Sequence, residues 1–106
     1  MSEEITRWDV AEYLNTEADI AAYLNAVVEE DDPALLQAAL GDIAKAKGMS
    51  SVARAAGVGR ESLYKSLSMS GNPSFQTIAN VSRAFGLKMV FEPIGAGAEH
   101  ETAERA

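Results

Sequence analysis

The chain has 106 residues, 47% hydrophobic and 24% charged, with a net charge of −7 at pH 7; this is the size and balance of one small globular domain that dimerisation would help to stabilise. It contains no cysteine and a single histidine, His100, which excludes disulfides and leaves no cluster for a zinc or redox centre, so neither metal nor cofactor is expected. No apolar run approaches the length of a membrane span, and the opening Ser2-Glu3-Glu4 is unlike the basic-then-apolar start of a secretory leader, so a cytoplasmic location without a membrane partner is expected.

In chain order, the stretch from Trp8 to Leu14 predicts a short helix. Asp9 stands as cap with Glu12 three residues on, and Trp8 and Tyr13 can form a hydrophobic staple across that cap. Thr16, with Asp19 at the matching position, predicts the start of a second helix, in which Ile20, Tyr23, Leu24 and Val27 recur on one face. Glu29-Glu30-Asp31-Asp32-Pro33 closes it, with Asp32 as cap and Pro33 as first residue of the next helix. Consecutive carboxylates between helices lack the turned, spaced arrangement that a cation needs and read as a solvated junction.

The third helix, expected over 34–47, buries Leu36, Leu40 and Ile43, with Ala39 and Ala44 permitting close approach, and ends at Gly48. Gly41 in its interior costs about 1 kcal/mol relative to alanine, for which tight packing against a neighbour would compensate. Residues 50 to 67 then read as two short helices joined by a Gly57-Val58-Gly59 turn, the layout of a helix-turn-helix DNA reader. Ser50 or Ser51 caps the first, Ala53 supplies a small residue where the helices cross, and Gly57 suits a turn that needs positive φ. Val58, Leu63 and Leu67 point inward, which leaves Arg60, Glu61, Tyr64 and Lys65 outward on the helix such folds lay in the major groove. Glu61 and Lys65 are also an i,i+4 pair of a kind common on idle surfaces, worth about 0.2–0.5 kcal/mol without any DNA.

After a loop at 68–73, Ser74 is expected to cap a last helix with Phe75, Ile78, Val81 and Phe85 toward the core, ended by Gly86. The segment from Leu87 to Glu92 alternates with period two until Pro93, which predicts a short strand with Leu87, Met89 and Phe91 on one face. No second strand is expected in the chain, so this one pairs with its twin in a homodimer or lies as an extended segment on the core. From Gly95 onward little can be buried and a flexible tail is expected, His100 within it. The expected divisions are an acidic helical extension at 1–31, the helix-turn-helix domain with its strand at 32–94, and the tail at 95–106.

Charge is segregated along this order. Residues 1–46 carry −9, residues 47–91 carry +5 and residues 92–106 carry −3. The basic block contains the proposed reader, and because the Debye length is about 8 Å at physiological salt, the distant acidic segment only partly cancels its attraction for phosphates. An enzyme is the least favoured class: there is no cysteine, the one histidine is in the tail, and the acidic residues lack spacing suited to acid–base pairs.

The run from Ala39 to Met49, with Ala53-Arg54-Ala55-Ala56-Gly57-Val58, Arg60-Glu61-Ser62-Leu63-Tyr64-Lys65 and Gly71-Asn72-Pro73, resembles the addiction-module antidote proteins. These are small bacterial antitoxins with a Cro/C1-type helix-turn-helix, HigA-like, and the resemblance covers roughly residues 8 to 92. It implies a mainly α fold, a five- to six-helix bundle of the lambda-repressor-like DNA-binding type. It also implies a type II toxin–antitoxin system in which the chain neutralises a basic RelE/HigB-like toxin and represses its operon on double-stranded operator DNA. By the same resemblance Arg60, Glu61 and Lys65 fall where side chains reach base edges. Tyr64 falls where it can pack on sugar or a thymine methyl, and Ser62, Ser50, Ser51 and Asn72 fall where phosphates are held. Gly59 stands where such readers usually carry a Ser or Thr cap, and Met49 where many carry a phosphate-binding Gln. A stand-alone repressor of phage type, or an acidic inhibitor that uses the fold only as scaffold, would share these features.

Overall fold

The computed structural model describes residues 14–68 and 70–95. Among them are five helices: α1 (Glu17–Val28), α2 (Pro33–Lys47), α3 (Met49–Ala56), α4 (Arg60–Ser66) and α5 (Phe75–Ala84). The expected helix with Trp8, Asp9, Glu12 and Tyr13 lies outside the described residues, as does His100.

Three of the helix starts follow their capping residues. Thr16 Oγ1 accepts from Asp19 N–H at 3.0 Å to open α1. Asp32 Oδ1 accepts from the N–H groups of Ala34 and Leu35 at 3.1 and 3.3 Å to open α2, with Pro33 at the first position. Ser74 Oγ accepts from Thr77 N–H at 3.0 Å to open α5.

The start of α3 is different from the sequence expectation. Neither Ser50 nor Ser51 caps it: the helix begins at Met49, its N-cap is Gly48, and no side chain bonds its first turn. Gly48 also ends α2, so one residue with φ 105° and ψ 103° separates the two helices. Met49 is buried, and drawing it into the helix leaves Ser50 and Ser51 exposed within the first turn.

Two glycines close helices by the same motif. At the end of α3, Gly57 takes the left-handed conformation, and the N–H groups of Gly57 and Val58 donate to Arg54 and Ala53 carbonyls at 3.2 and 3.0 Å. At the end of α5, Gly86 has φ 87°, and Gly86 and Leu87 N–H donate to Arg83 and Ser82 carbonyls at 2.9 and 3.0 Å. Each pair satisfies carbonyls that a helix end would otherwise leave without partners.

One core joins all five helices: Ile20 of α1, Leu40, Ile43 and Ala44 of α2, Met49, Val52, Ala53 and Ala56 of α3, Leu63 of α4 with Leu67 just beyond it, and Val81 of α5 with Phe85. Helix α3 lies against α2, α4 and α5, and α1 lies against α2. Leu36, expected in the core, is only part-buried, while Ala38 is buried beside Ala39. Phe75 departs further, being 70% exposed. Its helix enters the core with its C-terminal half, Ile78 being part-buried and Val81 and Phe85 fully enclosed, so periodicity places Phe75 on the right stripe but beyond the neighbours that would cover it.

Residues 87–93 form no strand within the chain. Leu87 packs against the core, but Met89, Val90 and Phe91 are exposed, Phe91 by 90%.

Candidate nucleic-acid interface

Helix α4 is anchored from beneath by Leu63 and Leu67, which are 1% and 2% exposed and sit one turn apart on its inner face. Burying two leucines contributes about 1.5–3 kcal/mol each, enough to fix a helix too short to persist alone. The opposite face carries Arg60, Glu61, Ser62, Tyr64 and Lys65, all exposed. Five of the sequence-derived site residues therefore stand together on one surface, at one helix.

Gly59 is the N-cap of α4, and no side chain caps the helix. Its extended conformation, φ −73° and ψ 150°, is open to any residue, and a Cβ there would meet nothing within 4 Å. Tyr64 is half-exposed and its ring lies under the ammonium of Lys45, 5.8 Å from Nζ to the ring centroid. Helix α2 thus places a cation at the flank of the presented surface.

The loop after α4 is tied down from α2. Gln37 Nε2 donates to the carbonyl of Ser68 and, at 2.9 Å, to that of Gly71. Ser68 Oγ donates to Lys65 O at 2.8 Å, and Gly71 N–H to Ser68 O at 2.9 Å. Gly71 comes so close to the Lys65 and Ser66 carbonyls that a Cβ would overlap both. This tight return brings Asn72 alongside α4, and a shallow depression lined by Ser62, Lys65, Ser66, Ser68, Ser70, Gly71 and Asn72 runs between them. Asn72 thus shares one depression with Ser62 and Lys65 of α4, which Arg60, Glu61 and Tyr64 do not line, and Ser50 and Ser51 stand exposed on the first turn of α3.

Two residues that organise this region escaped sequence reasoning. Gln37 is one; its signal is a polar side chain inside the apolar run Leu35-Leu36-Gln37-Ala38-Ala39-Leu40. Asn80 is the other: its Nδ2 donates to the carbonyl of Ala56 at 3.2 Å, and its Oδ1 accepts from Gln76 Nε2 at 3.1 Å. It closes the last carbonyl of α3, and only the fold shows that α5 passes there.

Among the described residues no group of acidic or histidine side chains is placed to hold a metal ion, and no helix is long and apolar enough to cross a membrane. The surface offers hydroxyl, amide, guanidinium and ammonium donors around one aromatic ring. Donors of these kinds are able to bond phosphate oxygens and base edges.

A family model described as "Probable addiction module antidote protein" matches residues 4–93. An uncharacterised protein of Haemophilus influenzae strain Rd is 49% identical over 88 residues, covering 83% of this chain and 91% of that protein. No solved structure matches. With the matched span taking in all five helices and the loop that binds Gln37, the chain belongs to the family of probable addiction module antidote proteins.

Proposed function

We propose that the protein is the antitoxin of a type II toxin–antitoxin system. It binds and neutralises a basic toxin of the RelE/HigB kind, and as a homodimer it represses its own operon, with α3 and α4 acting as the helix-turn-helix. Family membership supports the antitoxin role and a regulatory rather than catalytic protein. The observation that carries the DNA-binding part is helix α4 itself, locked by Leu63 and Leu67 with Arg60, Glu61, Ser62, Tyr64 and Lys65 all turned outward. Such a helix lies in the major groove with its N-terminal residues against base edges, while Asn72, Ser50 and Ser51 reach the backbone on either side.

The toxin-binding part rests on charge. Residues 1–46 carry −9, and a basic ribonuclease is drawn to such a segment at long range. DNA carries the same sign as that segment, so the two partners are directed to different parts of one chain.

The test is a gel shift on the DNA immediately upstream of the reading frame, titrated with salt, beside co-expression with a neighbouring short basic reading frame. Binding that weakens steeply with salt and is lost in Arg60→Ala/Lys65→Ala, together with growth rescue by that same variant, gives the expected pattern of two separable activities. Unchanged affinity in the double variant would reject α4 as the reader. Rescue without DNA binding at any salt would leave the acidic inhibitor as the function.

A further inference from the structure

Beyond Leu87 the backbone of residues 88–92 makes no hydrogen bond to the rest of the described chain, and Met89, Val90, Phe91 and Ile94 are exposed in sequence. A largely apolar segment whose backbone groups are unpaired is a template for another strand. We infer that its occupant is the same segment of a second copy, paired antiparallel with Val90 opposite Val90 on the two-fold axis. This inference rests on the homodimer of the proposed function and adds the register.

The register follows from two constraints. In an antiparallel pair, residues directly opposite each other share a face. An offset that set odd positions against even ones would place Leu87, Met89 and Phe91 of one strand beside Lys88, Val90 and Glu92 of the other and destroy the apolar face. Only offsets that pair odd with odd keep an amphipathic ribbon.

Among those, charge selects one. Centring on residue 88 sets lysine against lysine, and centring on residue 92 sets glutamate against glutamate. Centring on 89 or 91 leaves both charges opposite apolar or glycine positions. Centring on Val90 sets Lys88 of each copy opposite Glu92 of the other, twice by symmetry, with Met89 opposite Phe91 on the reverse face. Opposite charges directly across a ribbon stabilise it, and like charges destabilise it.

The remaining residues suit this arrangement. Leu87 already packs on the core, whereas Met89 and Phe91 are exposed in the single chain, so in the paired form it is their face that the protein bodies cover. A two-stranded ribbon is marginal alone and needs that support. Pro93, which lacks an N–H, ends the pairing.

The absence of cysteine from the chain permits a direct test by single-cysteine variants of the full protein under mild oxidation. With Val90 on the axis, the two Cα atoms at position 90 lie about 4.5–5.5 Å apart, within disulfide reach. The two copies of position 89, or of 91, are separated by a further two residues along the strands, about 7 Å, and cannot be bridged. Val90→Cys is therefore expected to form disulfide dimers in good yield, and Lys88→Cys, Met89→Cys and Phe91→Cys are not. Mixing Met89→Cys with Phe91→Cys chains is expected to give the mixed disulfide that neither gives alone. Position 90 is 63% exposed in the single chain, so its substitution leaves the core untouched, which circular dichroism checks.

Charge exchange gives a second readout. Lys88→Glu or Glu92→Lys is expected to weaken dimerisation by about tenfold in sedimentation equilibrium, and the double exchange to restore it. If the wild type is dimeric but position 90 fails to cross-link, or 89 or 91 cross-links alone, the register is overturned and the dimer stands. A wild-type chain that remains monomeric at tens of micromolar overturns both.

Discussion

The carbonyl oxygen of Leu67 lies 3.0 Å from the place a Cβ on Gly41 would occupy, and the Leu67 Cβ lies 3.4 Å from it. A glycine in mid-helix, unfavourable for α2 alone, thus lets the end of the presented helix settle directly on α2. Adding a methyl group there gains about 1 kcal/mol in helix propensity but forces a buried backbone to move, at about 1–3 kcal/mol. Gly41→Ala is expected to lower stability by about 1 kcal/mol in urea unfolding with an unchanged m-value.

The side chain of Gln37 holds the loop that carries Asn72. Gln37→Leu keeps the bulk and removes both hydrogen bonds, leaving the Gly71 carbonyl without this donor while the Ser68 carbonyl keeps the Gly71 N–H; the expected loss is about 1–3 kcal/mol in thermal or urea unfolding. Faster amide hydrogen exchange in residues 68–72 than in α3 would localise the effect to this loop.

Gly59 caps α4 without a side chain in a conformation any residue adopts, with open space around it. Gly59→Ser supplies the missing cap and restricts the unfolded chain. It is expected to raise stability by about 0.5–1 kcal/mol, measured as a higher urea midpoint.

Arg60 and Lys65 test the proposed interface separately. If Arg60 contacts a base through two hydrogen bonds, Arg60→Ala costs about 1–3 kcal/mol on the preferred site and relaxes one base position. If Lys65 contacts a phosphate, Lys65→Ala weakens all sequences alike and reduces the slope of log K against log salt by about 1. Both positions are exposed, so thermal stability is expected to stay within about 0.5 kcal/mol of wild type.

The features legible in the sequence were those fixed within a few residues. Thr16, Asp32 and Ser74 cap the helices they precede, Gly57 and Gly86 end theirs, and the Leu63–Leu67 spacing fixed which face of α4 is free. Failures came where a distant neighbour decides. Ser50 and Ser51 have the chemistry of caps, but burial of Met49 begins α3 earlier, and Gly48 takes both roles. Phe75 has the periodicity of a core residue, yet no described element covers it. Gln37 and Asn80 organise the candidate site through contacts spanning 34 and 24 residues, which no local pattern encodes.

A link of one residue between α2 and α3 leaves no slack. The direction in which α3 departs, and with it the platform for α4, is set by two torsion angles at Gly48, in a region of conformational space that side-chain-bearing residues rarely enter. Aim and content are therefore separate properties of this protein. The exposed residues of α4 can be exchanged one by one without touching the core, while the bearing on which they are presented is held by a residue with no side chain at all.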